Sequence, residues 1–124
     1  MSKIDRLRKA AERIIDIDPK MRFVGIIDLD GEIVEGIMKE GKTSLESQKE
    51  SEHFCKQVAK RREMREEFDV SLGKVKYVHI EREKVTQLVV YTKSHTIFTT
   101  VEPDLSIANK MNLVNVIKEI SSVI

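Results

Sequence analysis

The stretch Phe23-Val24-Gly25-Ile26-Ile27-Asp28-Leu29-Asp30-Gly31-Glu32-Ile33-Val34 constrains the fold of this chain more than any other. Two runs rich in β-branched residues flank an Asp-Gly pair, and Asp-Gly suits a tight turn whose backbone must visit positive φ. Centring a two-residue turn on Asp30 and Gly31 sets Leu29 opposite Glu32, Ile27 opposite Val34, Gly25 opposite Gly36 and Phe23 opposite Met38. The other face carries Val24, Ile26, Ile33 and Ile37, so both faces are expected to be covered, as happens when helices flank a sheet. The two opposed glycines predict a shallow saddle where a helix approaches the backbone.

The residues around this hairpin predict the remaining elements. Ser2 is placed to cap a helix running to about Ile15, with Ile4, Leu7, Ala11, Ile14 and Ile15 on its apolar side. Pro19 discourages its continuation, and a sheet is expected to begin near Met21. Thr43 followed by Glu46 has the form of a capping box that opens a second helix reaching Glu67. That helix is thinly apolar: Phe54, Val58 and Phe68 share a side with Ser47, Ser51, Arg61 and Arg65. Three strands are predicted at Lys74 to Glu81, Val85 to Tyr91 and Thr96 to Val101. Pro103 and Asp104 open a last helix with Leu105, Leu113, Val116, Ile117, Ile120 and Val123 on its apolar face.

Composition narrows the class of protein without naming a partner. The 22 Lys and Arg against 21 Asp and Glu give a net charge of +1, far from the basic balance of a dedicated nucleic-acid binder. Charged residues form 35% of the chain, above the roughly 25% usual for soluble domains, which predicts a heavily solvated surface. Cys55 is the single cysteine, so neither an intramolecular disulfide nor a paired-cysteine zinc site is available, and a reducing, cytoplasmic setting is expected. No apolar run has the length of a membrane span.

Chemistry-bearing motifs are scarce. The chain carries no phosphate loop, nucleophile elbow or dinucleotide fingerprint, which argues against an enzyme and against a bound cofactor. His53, His79 and His95 fall on a helix, a strand and a turn, and a metal site is not expected from that scatter. Cys55 and His53 are two apart on a helix and point in different directions, so Cys55 is expected to be a passive, partly buried thiol. Asp28 and Asp30 are expected to shape the turn rather than hold a cation. Lys56, Lys60, Arg61, Arg62 and Arg65 form the densest basic cluster, interrupted by Glu63, Glu66 and Glu67 and without interleaved aromatics for stacking on bases. A solvated helix face is the simplest reading of it, while Arg61 and Arg65, on the side of Phe54 and Val58, are candidates either to snorkel past the sheet or to anchor a protein contact.

The order helix, two strands, helix, three strands, helix resembles the roadblock and dynein light chain family, a profilin-like α+β architecture. In it a five-stranded antiparallel sheet carries one helix on one face and two on the other. The resemblance spans residues 1–124 as one domain, and rests on the strand Phe23 to Asp28 leading through Asp30-Gly31 into Glu32-Ile33-Val34, and on the strand Gln87-Leu88-Val89-Val90-Tyr91. The run Ile17 to Gly25 is also similar to a group of uncharacterised archaeal proteins. Membership would imply a non-enzymatic adaptor that dimerises through its third strand and middle helix, many relatives being platforms or regulators for small GTPases. By that resemblance, Lys56, Lys60, Arg61 and Arg65 on the helix and Lys74 and Lys76 on the strand are the candidate partner-binding residues. Lys74 and Lys76 depart from the pattern, since edge lysines oppose strand pairing, and the helix is more charged than an ordinary dimer seam. A small-molecule sensor using the concave side near Gly25 and Gly36 is the competing expectation.

Overall fold

The computed structural model describes residues 2–124. Its elements run α1 (Lys3–Ile15), β1 (Met21–Asp28), β2 (Ile33–Met38), α2 (Gln48–Glu66), a single turn α3 (Asp69–Leu72), β3 (Val78–Glu81), β4 (Thr86–Tyr91), β5 (His95–Val101) and α4 (Ile107–Ser121). The five strands form one antiparallel sheet in the order β2-β1-β5-β4-β3. Core side chains of α1 and α4 pack on one face and those of α2 on the other, which is the expected α+β arrangement with the added turn α3.

Local chemistry explains where the helices begin. The Ser2 hydroxyl accepts from the Asp5 amide at 3.1 Å, and the α1 face that is buried comprises Leu7, Ala10, Ala11, Ile14 and Ile15. Ile4, expected on that face, is exposed instead. The second helix starts later than Thr43 predicts. Its capping box is Ser47 with Glu50, at 3.2 and 3.3 Å, because the Thr43 carbonyl is held by Arg22 Nη2 at 3.1 Å and the segment before Ser47 is drawn onto the sheet. Ser106, rather than Pro103 or Asp104, caps α4. Val116 and Val123 lie outside its buried face, and Lys110 lies inside.

The hairpin keeps the predicted pairs Phe23 with Met38 and Gly25 with Gly36, but a bulge shifts the register so that Ile27 pairs with Ile33, not Val34. The Asp28 carboxylate sets the turn by accepting from the Asp30 and Glu32 amides, both at 2.9 Å. The saddle at Gly25 and Gly36 is filled by the Phe23 ring, which a Cβ on Gly25 would meet at 2.8 Å. The helix approaches elsewhere: a Cβ on Gly31, whose φ is 89°, would lie 2.8 Å from the Lys56 Cα and 3.0 Å from the Cys55 carbonyl oxygen. Positive φ and backbone contact act together there, so Gly31→Ala is expected to cost about 2 kcal/mol, measured by urea unfolding.

One buried cation stabilises the opposite face. Lys110 is 3% exposed, and its Nζ donates to Glu81 Oε1 at 2.7 Å and to the Pro103 carbonyl at 3.1 Å. Hydrogen bonds from Lys110 and then His79 hold the Glu81 carboxyl far below its ordinary 4.5, at about 2. A depressed carboxylate contributes stability that is complete above the unfolded value and is lost as pH falls through the folded one. Glu81 is half exposed, so screening reduces the effect: Glu81→Gln is expected to cost about 1 kcal/mol at neutral pH. The gap between variant and wild type should close between pH 4.5 and about pH 2, and a gap that stays constant would show the ion pair to be inert.

Candidate partner-binding surface

The sheet exposes two edges, β2 and β3, and their surroundings differ. Leading into β3, residues 74–77 belong to no strand, so the predicted strand from Lys74 is shortened to Val78–Glu81. Pairing with β4 stops at Val78 opposite Val89, although β4 itself runs on to Tyr91. Lys74 and Lys76 are therefore exposed residues of the lead-in rather than of the ladder. Beside them, α3 holds Val70 fully exposed and Leu72 81% exposed, with Met64, Phe68 and Tyr77 also reaching solvent. Phe68, expected on the core side of the middle helix, is outside the core because the chain leaves α2 at Glu67 before that position can face the sheet.

The basic residues of α2 divide between internal and outward roles. Lys56 pairs with Glu32 and donates to the Asp30 carbonyl, fastening the helix to the hairpin turn. Arg65 donates to the Tyr91 hydroxyl at 2.8 Å. Lys60 is exposed, and so is Arg61, whose guanidinium meets only Gln57 of its own helix at 3.3 Å. Thus Lys60, Arg61, Lys74 and Lys76 are the four of the six predicted residues that are exposed without a hydrogen bond to another element, while Lys56 is half exposed but tied to the hairpin turn.

Arg62, counted in sequence with the solvated cluster, is 5% exposed. Its guanidinium donates to the His95 carbonyl at 2.7 Å, to Thr96 Oγ1 at 3.1 Å and to the Thr92 carbonyl, and it stacks 4.7 Å from the centre of the Tyr91 ring. Its planar fork reaches the Thr92 and His95 carbonyls together, while its Nε donates to Glu66 Oε2 at 3.3 Å on the same helix. The signal in the sequence was its spacing: Cys55, Val58 and Arg62 recur at three and four residues, on one side of the helix.

The histidines remain apart. His53 touches Gln57, His79 touches Glu81, and His95 is buried at the start of β5. Burial, and then the nearby Lys3, lower the His95 pKa, so its ring is neutral at neutral pH. Burial and the neighbouring Glu46 and Glu32 raise the Cys55 thiol to about 11, which keeps it protonated. Among the described residues no three His, Cys, Asp or Glu side chains are grouped to hold a metal ion. No helix among them is long and apolar enough to cross a membrane. A cavity of about 520 Å³ opens beside Cys55, between the first turns of α2, the segment 43–46 and the uncovered end of the sheet.

A five-stranded antiparallel sheet in this order, flanked by α1 and α4 on one face and α2 on the other, is the roadblock and profilin-like fold. The chain belongs to DUF6659, a family of unknown function whose model matches residues 3–121. No curated protein matches its sequence. Among solved structures, it is similar to the Roadblock/LC7 domain from Streptomyces avermitilis, with a TM-score of 0.67, 10% identity, and 94% of this chain and 92% of that one covered. The gliding protein MglB from Thermus thermophilus gives a TM-score of 0.73 at 9% identity, covering 100% of this chain and 95% of that chain. Acanthamoeba castellanii profilin IA gives 0.58 at 12% identity, with 90% and 93% covered.

Proposed function

We propose that this chain is a non-enzymatic adaptor or regulatory scaffold domain that forms a homodimer along β3 and α2 and presents that platform to a protein partner of the small-GTPase class. The observation that carries the reading is exposed apolar surface in the chain that leads to a free sheet edge: Val70 and Leu72 of α3, with Phe68 and Met64 before them, precede the edge strand β3. Side chains of that kind clustered at an unpaired strand mark a docking surface. A roadblock fold supports the same assignment, and Lys60 and Arg61 lie on the outer side of α2, where they offer cationic contacts to a carboxylate-bearing partner.

Light scattering on the full chain over a dilution series tests self-association, with a mass of twice the chain expected and a constant monomer mass overturning it. Affinity capture with GTP- and GDP-loaded small GTPases from the source organism tests the partner class. The double variant Lys60→Glu/Arg61→Glu should weaken that capture at least tenfold while the scattering mass stays unchanged. Undiminished capture would remove these residues from the contact.

A further inference from the structure

The cavity beside Cys55 has two chemically different ends. Its apolar end is formed by Phe23, Phe54 and Phe98 with Ile33, Met38 and Leu45. Leu45 is more than half exposed although it borders this space, an arrangement that a bound apolar body would relieve. At about 520 Å³ the space falls within the range of small-ligand sites, and it lies where β1, β4 and β5 run out beyond the cover of α2.

The other end is a set of donors. Gln87 and Thr100 are cross-strand neighbours on the α2 face, and Arg82 reaches over them from the turn after β3. Gln87 is 5% exposed, and its Oε1 accepts from Arg82 Nε at 3.2 Å. With the amide oxygen so occupied, Gln87 must present its Nε2 donor, and among the described residues that nitrogen has no hydrogen-bond partner. Neither Nη group of Arg82 has one either. Arg22 also borders the cavity, but its guanidinium is already shared between Glu102 at 2.9 Å and the Thr43 carbonyl. A guanidinium fork beside a buried amide donor matches an acceptor with two oxygens. Glu46, Glu83 and Lys84 also line the cavity, so with Arg22 already paired to Glu102 the charge at this end is close to balanced, which suits a monoanion better than a dianion such as phosphate.

We propose that this cavity binds a small amphiphilic monocarboxylate, with its apolar body among the Phe23, Phe54 and Phe98 rings and its carboxylate on Arg82 and the Gln87 amide. The cavity adjoins the proposed dimer surface, at the first turns of α2 and the turn after β3, but its test reads ligand binding and not chain mass, so the two readings fail separately.

Titration of the full chain with decanoate and with 3-phenylpropionate, followed by amide NMR shifts, distinguishes an alkyl from an aryl body. One of the two should saturate at a single site, with shifts centred on the cavity. Its neutral counterpart, 1-decanol or 3-phenylpropanol, should bind at least tenfold more weakly. Arg82→Met and Gln87→Leu should each weaken the acid about tenfold and leave the alcohol unchanged. Arg82 lies in an exposed turn, so Arg82→Met reports on binding with the fold intact. Ser51→Trp, which fills the cavity from α2 without removing a core side chain, should abolish binding of both. Equal affinity for acid and alcohol, indifference to Arg82→Met, or saturation by neither acid would overturn the proposal.

Discussion

Replacing Arg62 by Met is expected to cost about 3 kcal/mol, lowering the thermal midpoint by roughly 10 °C. The side chain donates to two backbone carbonyls and one hydroxyl at the β4–β5 turn while its plane lies over Tyr91. Met preserves most of the apolar stem, so the loss isolates the hydrogen bonds and the stacking. The Thr92 carbonyl would lose its donor, a condition that costs more than the net worth of a solvated bond, while the His95 carbonyl keeps the Thr92 amide and hydroxyl at 2.9 and 3.0 Å. Burying a guanidinium is itself unfavourable, and this offsets part of the gain. Arg62→Lys should recover less than half, because an ammonium cannot span three acceptors and does not stack as a plane. A fall of under about 3 °C for Arg62→Met would show that desolvation cancels the bonds.

The second large effect is expected at α3. The double variant Val70→Asp/Leu72→Asp should raise the dissociation constant of the proposed homodimer at least ~100-fold, giving a monomer in light scattering at micromolar concentration. In a two-fold interface each substitution is present twice, and burying a carboxylate in place of a Val or Leu removes apolar area and adds a desolvation cost. The isolated subunit should keep its circular dichroism and melting behaviour, since both side chains already face water. An unchanged dimer mass would exclude this surface from the contact, and the β2 edge would become the next one to test.

Legibility varied by element for physical reasons. The presence of the hairpin, the α1 stripe and the fourth and fifth strands were readable from local spacing, but the turn is centred on Leu29 and Asp30, not on Asp30 and Gly31: the Gly31 amide donates to the Asp28 carbonyl at 3.1 Å, and Gly31 alone has positive φ. The start of α2 was displaced because Thr43-Glu46 and Ser47-Glu50 are equivalent local signals, and a distant contact from Arg22 selects between them. The bulge near Ile33 and the shortened β3 depend on neighbours across the sheet, which spacing along one strand does not encode. Of the candidate partner residues, Lys60, Arg61, Lys74 and Lys76 lie in solvent, as a charged pattern implies, while Lys56 and Arg65 reach partners from other elements. The α3 surface was missed because Val70 and Leu72 look like core residues by type, and only the fold shows that nothing covers them.

By itself the sequence determined the order of the longer helices and strands, the presence of the first hairpin and the layered α+β class, because hydrophobic period, capping residues and positive-φ demand act over a few neighbouring residues. Tertiary structure alone decided that Arg62 and Lys110 are buried, that the Phe23 ring occupies the glycine saddle, and that a cavity with a donor end opens beside Cys55. Each of these depends on groups brought together from strands and helices far apart in the chain. A long side chain can satisfy its charge at any distance its stem reaches, so residue type and spacing do not fix where it ends.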